Sequence, residues 1–290
     1  NVSLSGSANT MTTDALNGCP AIMLVETLSH AGPDPMRNVQ LPAPLSHIRK
    51  VNPLGHSDEQ IYLHVADEVP VTVVFNGIFP HGVMMMTPDH LADFAFGYCL
   101  TEQIVHCADQ IRSVEVSDSK DGLTSNITIA GDSLSALLRR KPRMQTGHSS
   151  CGICGSGDVP AVDIVGQTSF PIRETIAPSA ILRALRDLDQ WQKLNAITRM
   201  VHGAAWADLT GQIDVIREDV GRHNALDKLI GAQMRTKTLR EGGICLLTSR
   251  YSYEMALKTA RAGMHTVVSV SAPTDRAFPL ASTMNQTLIA

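Results

Sequence analysis

Aromatic residues are scarce in this 290-residue chain, at 4% of the total, and its other shortages are as informative. No uninterrupted apolar run reaches the ~18 residues that a spanning helix needs. The opening stretch Asn1–Asp14 lacks the basic and apolar regions of a secretory signal. Positive charge is not in excess: 24 Lys and Arg face 28 Asp and Glu, for a formal net charge of −4. That balance argues against nucleic-acid binding driven by global charge. The six cysteines are too sparse for a disulfide scaffold at this length. The single CxxC has no second CxxC, no HxxxH and no preceding H-x-E with it, so neither structural zinc nor a deaminase-type zinc site is supported. These absences lead to the expectation of a cytoplasmic protein with no metal, no nucleic-acid partner and no membrane partner.

What is present is an ordinary soluble composition, 43% hydrophobic and 18% charged, with length for one large or two ordinary domains. Residues 1–60 are rich in Pro, Gly, Ser and Asn and read as an extended or disordered arm. Val69–Phe75 is rich in β-branched residues and stops at Asn76-Gly77, a strand and a turn. Thr87-Pro88-Asp89 supplies helix-start signals ahead of Leu91, Phe94, Ala95, Tyr98 and Cys99, and places Cys99 on a buried face. Ile111–Val116 and Leu123–Ile129 pair through a hairpin, and a short helix covers Ser133–Arg140.

A helix is predicted over Ser179–Leu194, then strands at Ala204–Ala207 and Ile213–Ile216. A short helix over Asn224–Ile230 is closed by Gly231. The strands Ile244–Thr248 and Thr266–Val270, joined by the helix Tyr253–Ala262, imply a parallel pair with a right-handed crossover. Ligands of such sheets bind beyond the carboxyl ends of the strands, where Ser249 and Arg250 fall. The reading is an α/β chain of two domains: an arm at 1–60, a smaller α+β domain at 61–140, a CxxC loop and linker at 141–177, and a second domain at 178–290.

Two stretches carry chemistry. Cys151-Gly152-Ile153-Cys154-Gly155 follows four cations in five residues, Arg139, Arg140, Lys141 and Arg143. Nearby positive charge favours the thiolate, the reactive form of a cysteine. Gly155-Ser156-Gly157 would not sustain the helix that follows a thioredoxin-like pair. A metal half-site, a redox dithiol and a persulfide carrier all remain open on spacing alone, and an accessible, flexible loop meets the carrier's needs best. The second stretch is Arg217–Gly231. There a glycine frees backbone N–H groups at a helix start, and Arg222 and Lys228 are candidates to pair with phosphate. The plainer alternatives are a solvated helix start and, for His223, a hydrogen-bonded structural histidine.

Cys151–Gly155, Glu218–Gly231 and Thr248–Met255 together resemble the formate dehydrogenase accessory sulfurtransferase family. Asp67–Val71 with Phe75-Asn76-Gly77, and His202-Gly203-Ala204-Ala205-Trp206, share the resemblance, which spans roughly residues 60–290. It implies a cytoplasmic, homodimeric sulfur carrier. Such a protein takes sulfur from a cysteine desulfurase as a persulfide and delivers it to the bis(molybdopterin guanine dinucleotide) molybdenum cofactor, its substrate, for formate dehydrogenase. The alternative is a dithiol redox or cofactor-binding chaperone module that transfers no sulfur.

The resemblance also implies a second domain built as a three-layer, cytidine deaminase-like sheet with helices on both faces. Carried over by motif, Cys151 bears the persulfide and Cys154 is its partner. Gly221, Arg222, His223, Asn224 and Arg250 become expected contacts of the cofactor's guanine dinucleotide arms. Family members continue past Thr287-Leu288-Ile289 into a Gly-Phe-Cys-(Arg/Lys)-x-Gly-Arg loop that helps bind the molybdenum cofactor, and that loop is expected after Ala290.

Overall fold

The structure, a computed structural model, describes residues 45–51, 61–140, 175–239 and 242–290. Cys151, Cys154 and nearly all of the 141–177 linker lie outside the described residues, as does most of the 1–60 arm. Within that arm, however, β1 (Ser46–Val51) pairs antiparallel with β2 (Ile61–Ala66). Residues 46–51 are thus half of an antiparallel strand pair, not part of an unpaired arm.

The first half is built on β3 (Val69–Phe75), β4 (Phe79–Met86), β5 (Ile111–Ser119) and β6 (Gly122–Ile129), in the order β4-β3-β6-β5. β3 and β6 are parallel, and the two outer pairs are antiparallel. Alternation decides which side is covered: Val71, Val73 and Phe75 are fully buried against Phe94, Ala95 and Cys99 of α1 (Leu91–Thr101). The turn predicted at Asn76-Gly77 has φ of 51° and 70°, the left-handed pair that a tight hairpin needs. A second helix, α2 (Gly131–Leu138), closes this half.

The second half is a five-stranded sheet of β7 (His202–Ala207), β8 (Ile213–Asp219), β9 (Ile244–Leu247), β10 (Thr266–Ser269) and β11 (Thr287–Ile289), ordered β11-β10-β9-β7-β8. β9, β10 and β11 are mutually parallel, as predicted for the first two, and β7 runs against both its neighbours. One face is covered by α3 (Pro178–Trp191), whose Ile181, Ala184 and Leu188 meet Ala205, Leu246 and Val268. The other is covered by α5 (Arg222–Thr236), α6 (Tyr253–Arg261) and α7 (Ala277–Thr283), which meet Ala204, Trp206, Cys245 and Val267. The result is a mixed α/β architecture with helices on both faces of this sheet. Among the described residues no helix is long and apolar enough to cross a membrane.

α1 and α5 pack together and join the halves. A Cβ on Gly97 would sit 1.8 Å from the Asp227 carbonyl, and one on Gly231 the same distance from that of Asp93. Gly231 therefore does not end α5, as its sequence suggested. The helix runs on to Thr236, and the glycine is there because another backbone approaches it. The predicted helix Ser179–Leu194 likewise breaks at Gln192, and the short α4 (Lys193–Thr198) starts under the Glu218 carboxylate, which accepts the N–H groups of Leu194 and Asn195 at 2.8 Å each.

Thr87 is another departure. α1 starts later, after His90 at φ 52°, and Thr87 instead accepts the Val220 N–H at 3.2 Å while donating its own N–H to Asp219 at 3.1 Å. A cap signal was outbid by a buried carboxylate from the other sheet.

Candidate anion site at the carboxyl edge of the sheet

Because β7 is antiparallel to β8 and β9, its first residue lies at the edge where those two strands end. His202 stands opposite Asp219 in the β7–β8 register, and Thr248 at the end of β9 bonds to Gly203. This edge gathers His202, the Gly221–Asn224 turn into α5, and Ser249-Arg250. Ligands of open α/β sheets bind at such an edge.

The turn after β8 is held by Asp219, which is fully buried. Its carboxylate accepts the Gly221 N–H at 2.8 Å, the Asn224 side-chain N–H at 3.1 Å and the Lys228 ammonium at 2.6 Å. Lys228 is itself fully buried and also donates to the Thr87 carbonyl at 2.9 Å. Its suggested role on phosphate is thus excluded: the ammonium is committed to Asp219, and burial pulls its pKa down although Asp219 pulls it up. Asn224 donates its remaining side-chain N–H to the Met85 carbonyl at 2.9 Å, so its amide nitrogen is spent on positioning the turn. Gly221 serves the same purpose, since a Cβ there would lie 2.8 Å from the Asn224 amide nitrogen.

Once the turn is fixed, what remains is cationic and unsatisfied. The N-cap of α5 is Gly221, which has no side chain to cap the first turn, and among the described residues no side chain does so, which leaves first-turn N–H groups for a ligand. His223 is only 3% exposed, and neither ring nitrogen has a hydrogen-bond partner among the described residues. The Arg222 Nε is likewise buried and unpartnered. Burial, then Lys258 and Arg222, push the His223 pKa down to about 3, so the ring is neutral. His202 is held below its ordinary value by burial and by Arg222 and Arg250, against Asp219. Arg250 is exposed at the rim.

Beneath His223 lies a second polar knot. Lys258 donates to Asp227 at 2.8 Å and to Thr101 at 2.9 Å, and is 3.5 Å from Glu102. The backbone carbonyls of Glu102 and Gln103, at the end of α1, accept the guanidinium of Arg140. Arg140 is the last described residue before the cysteine loop.

Of the expected cofactor contacts, Arg222, His223 and Arg250 come together with groups to offer, while Gly221 and Asn224 shape the backbone that presents them. The structural reading of His223, a satisfied histidine, does not hold among the described residues. His202 was missed as a site residue. Its signal was the His-Gly-Ala-Ala-Trp motif, but a histidine opening a strand joins a site only once the register is known.

Residues 66–290 match the pattern of the FdhD/NarQ family. The chain belongs to this family. Among its relatives, a sulfur carrier protein FdhD of Bordetella bronchiseptica is 41% identical over 240 residues, covering 81% of this chain and 82% of the relative. A protein of the same name from Xanthomonas euvesicatoria pv. vesicatoria is 42% identical over 225 residues, covering 78% and 79%. A solved structure described as a formate dehydrogenase accessory protein, from Desulfotalea psychrophila, superposes with a TM-score of 0.61 at 24% identity, over 84% of this chain and 91% of that one. That likeness shows a shared FdhD-like fold. The curated relatives match over most of the chain, the span that holds the edge residues included.

Proposed function

We propose that this FdhD/NarQ family member is a cytoplasmic, homodimeric sulfur carrier for formate dehydrogenase. In this reading a cysteine desulfurase loads Cys151, and the sulfur passes to the bis(molybdopterin guanine dinucleotide) molybdenum cofactor, held as substrate at the carboxyl edge. The loading step balances without outside electrons. The Cys151 thiolate attacks the outer sulfur of the donor's persulfide, the donor S–S bond breaks, its thiolate leaves, and a new S–S bond forms on Cys151. Cys154, three residues on in the sequence, is a neighbour that can shield the loaded sulfur or help release it.

The observation that carries the reading is the buried His223 beside Arg222 on the first turn of α5, with no partner for its ring and no side-chain cap for the turn among the described residues. Phosphate is the group such a turn accepts, through free N–H donors, a helix dipole and a guanidinium. A guanine dinucleotide arm brings a pyrophosphate. The root of the cysteine loop favours the pairing. Arg140 is bound at the end of α1, where Glu102 faces Lys258, and the eleven residues from there to Cys151 can span up to about 36 Å when extended.

The test is mass spectrometry of the full chain after incubation with a desulfurase and cysteine. A mass gain of about 32 Da, one sulfur atom, on the Cys151 peptide is expected, and Cys151→Ala should abolish it. A wild-type chain that gains no sulfur would sink the proposal.

A further inference from the structure

At the other end of α5 from the edge site, a groove of about 340 Å³ lies between the helix and the outer strand β8. Val215, Arg217, Gln233 and Arg235 line it, with Asp93 of α1 in its wall. Two observations mark this groove. The first is Gln233, which is 1% exposed and whose amide oxygen and nitrogen are both buried without a hydrogen-bond partner among the described residues. Such an amide leaves both a donor and an acceptor to be met. The second is charge. The Asp93 carboxylate is shared by two guanidiniums: Arg217 donates through Nε and Nη2 at 2.8 Å each, and Arg235 through Nη1. Arg217 also gives Nη1 to the Ile216 carbonyl at 2.8 Å, whereas Arg235 is exposed and rests over the Phe96 ring at 5.9 Å. Among the described lining residues one acid thus meets two guanidiniums, and one positive charge is in surplus.

We propose that this groove binds a small carboxylate that carries an amide: an N-acylated amino acid, either free or as the last residue of a peptide. The carboxylate takes spare guanidinium donors of Arg235 and offsets the surplus charge. The amide beside it brings one N–H and one C=O, the complement of the two atoms that Gln233 leaves unmet. Rotation about the last torsion of Gln233, which is soft, is enough to aim its amide. Val215 and Ala232 supply an apolar wall for the short carbon frame. Phosphate suits the first turn of α5 but is the poorer fit here. Gln233–Thr236 form the last turn of that helix, where its dipole is negative, and one surplus charge balances a monoanion rather than a dianion. The two ends of α5 therefore favour different anions. Binding makes and breaks no covalent bond, and it is independent of what the edge holds.

The experiment is calorimetric titration of the full chain with N-acetylglycine, the smallest such ligand, at neutral pH and low ionic strength. Saturable binding in the millimolar range is expected, as a few hydrogen bonds to so small a ligand give. Its N-methylamide, which keeps the amide and lacks the charge, should bind about 10-fold more weakly. Arg235→Gln and Gln233→Leu should each weaken N-acetylglycine about 10-fold. Gln233→Leu should leave the urea midpoint no lower than the wild type's, since no hydrogen bond is lost. Diguanosine diphosphate, two guanosines joined 5′ to 5′ through a pyrophosphate and suited to the edge, should not compete. Acetyl-tetraalanine with a free carboxyl end separates the sources: tighter binding than N-acetylglycine assigns the groove to a peptide end, and equal binding to a free acyl amino acid. No saturable binding of either ligand, equal binding of N-acetylglycine and its N-methylamide, competition by diguanosine diphosphate, or binding undiminished in both variants would overturn the groove site and leave the edge and the sulfur relay standing. Because the ligand series is run on the wild type, a poorly folding variant does not remove the test.

Discussion

The seam between α1 and α5 and the edge at the start of α5 lie close together, but they treat buried polarity in opposite ways. Along the seam the charges are matched. Asp93 takes Arg217 at 2.8 Å and also Arg235, Asp219 takes Lys228 at 2.6 Å, and Asp227 takes Lys258 at 2.8 Å. At the edge, both ring nitrogens of His223 and the Nε of Arg222 are buried without a partner among the described residues. Folding tolerates the first arrangement because each charge is compensated. The second costs stability, and in the proposed reading a ligand compensates it. Buried charge is therefore not what marks the site in this molecule. Unmet charge and unmet hydrogen bonding are.

If that contrast is right, breaking the seam costs stability and altering the edge costs binding. The largest effect is expected from Asp219→Ala, which strands the Lys228 ammonium and frees the turn at Gly221. A loss of about 3–5 kcal/mol is expected in urea unfolding, and restoring an apolar partner with Asp219→Ala/Lys228→Met should recover part of it. Next, Gly97→Ala places a Cβ against the Asp227 carbonyl and should lower stability by about 1–3 kcal/mol or more as the helices separate. A melting temperature equal to the wild type's would mean that α1 and α5 do not meet there.

His223 gives an intermediate effect whose sign depends on pH. Its pKa is pushed from 6.5 in a free ring to about 3, so the unfolded chain binds the extra proton between those values. Stability therefore falls as pH drops below about 6.5, by up to ~1.4 kcal/mol per unit from this group. His223→Leu should remove that share of acid sensitivity, seen in urea midpoints at pH 7 and pH 4.5. At pH 7 its stability should stay within about 1 kcal/mol of the wild type, because no hydrogen bond is lost. The smallest stability change belongs to Arg250→Ala. Unfolding should shift by no more than about 0.5 kcal/mol, while binding of diguanosine diphosphate weakens on the order of 10-fold.

Most of the elements were legible in the sequence, because strand alternation at Val69–Phe75 and the apolar run at Ile244–Leu247 are local signals. The carboxyl-edge rule placed Ser249 and Arg250 beyond the end of their strand before any coordinates did. What was not legible depended on partners distant in the chain. Gly231 reads as a helix stop until Asp93 is known to press on it. Thr87 reads as a cap until Asp219 claims it, and Lys228 reads as a phosphate ligand until the same carboxylate holds it. His202 opened a motif, but only the β7–β8 register put it at the edge. Cys151 and Cys154 carry the strongest sequence signal and fall outside the described residues.

The contrast between seam and edge is tested most directly by hydrogen exchange of the full chain, with and without diguanosine diphosphate. The account predicts slowed exchange at 202–203, 221–224 and 248–250, with the seam residues 93–101 and 227–235 unchanged. Protection confined to the groove lined by Asp93, Val215, Arg217, Gln233 and Arg235, or no protection at saturating ligand, would contradict it.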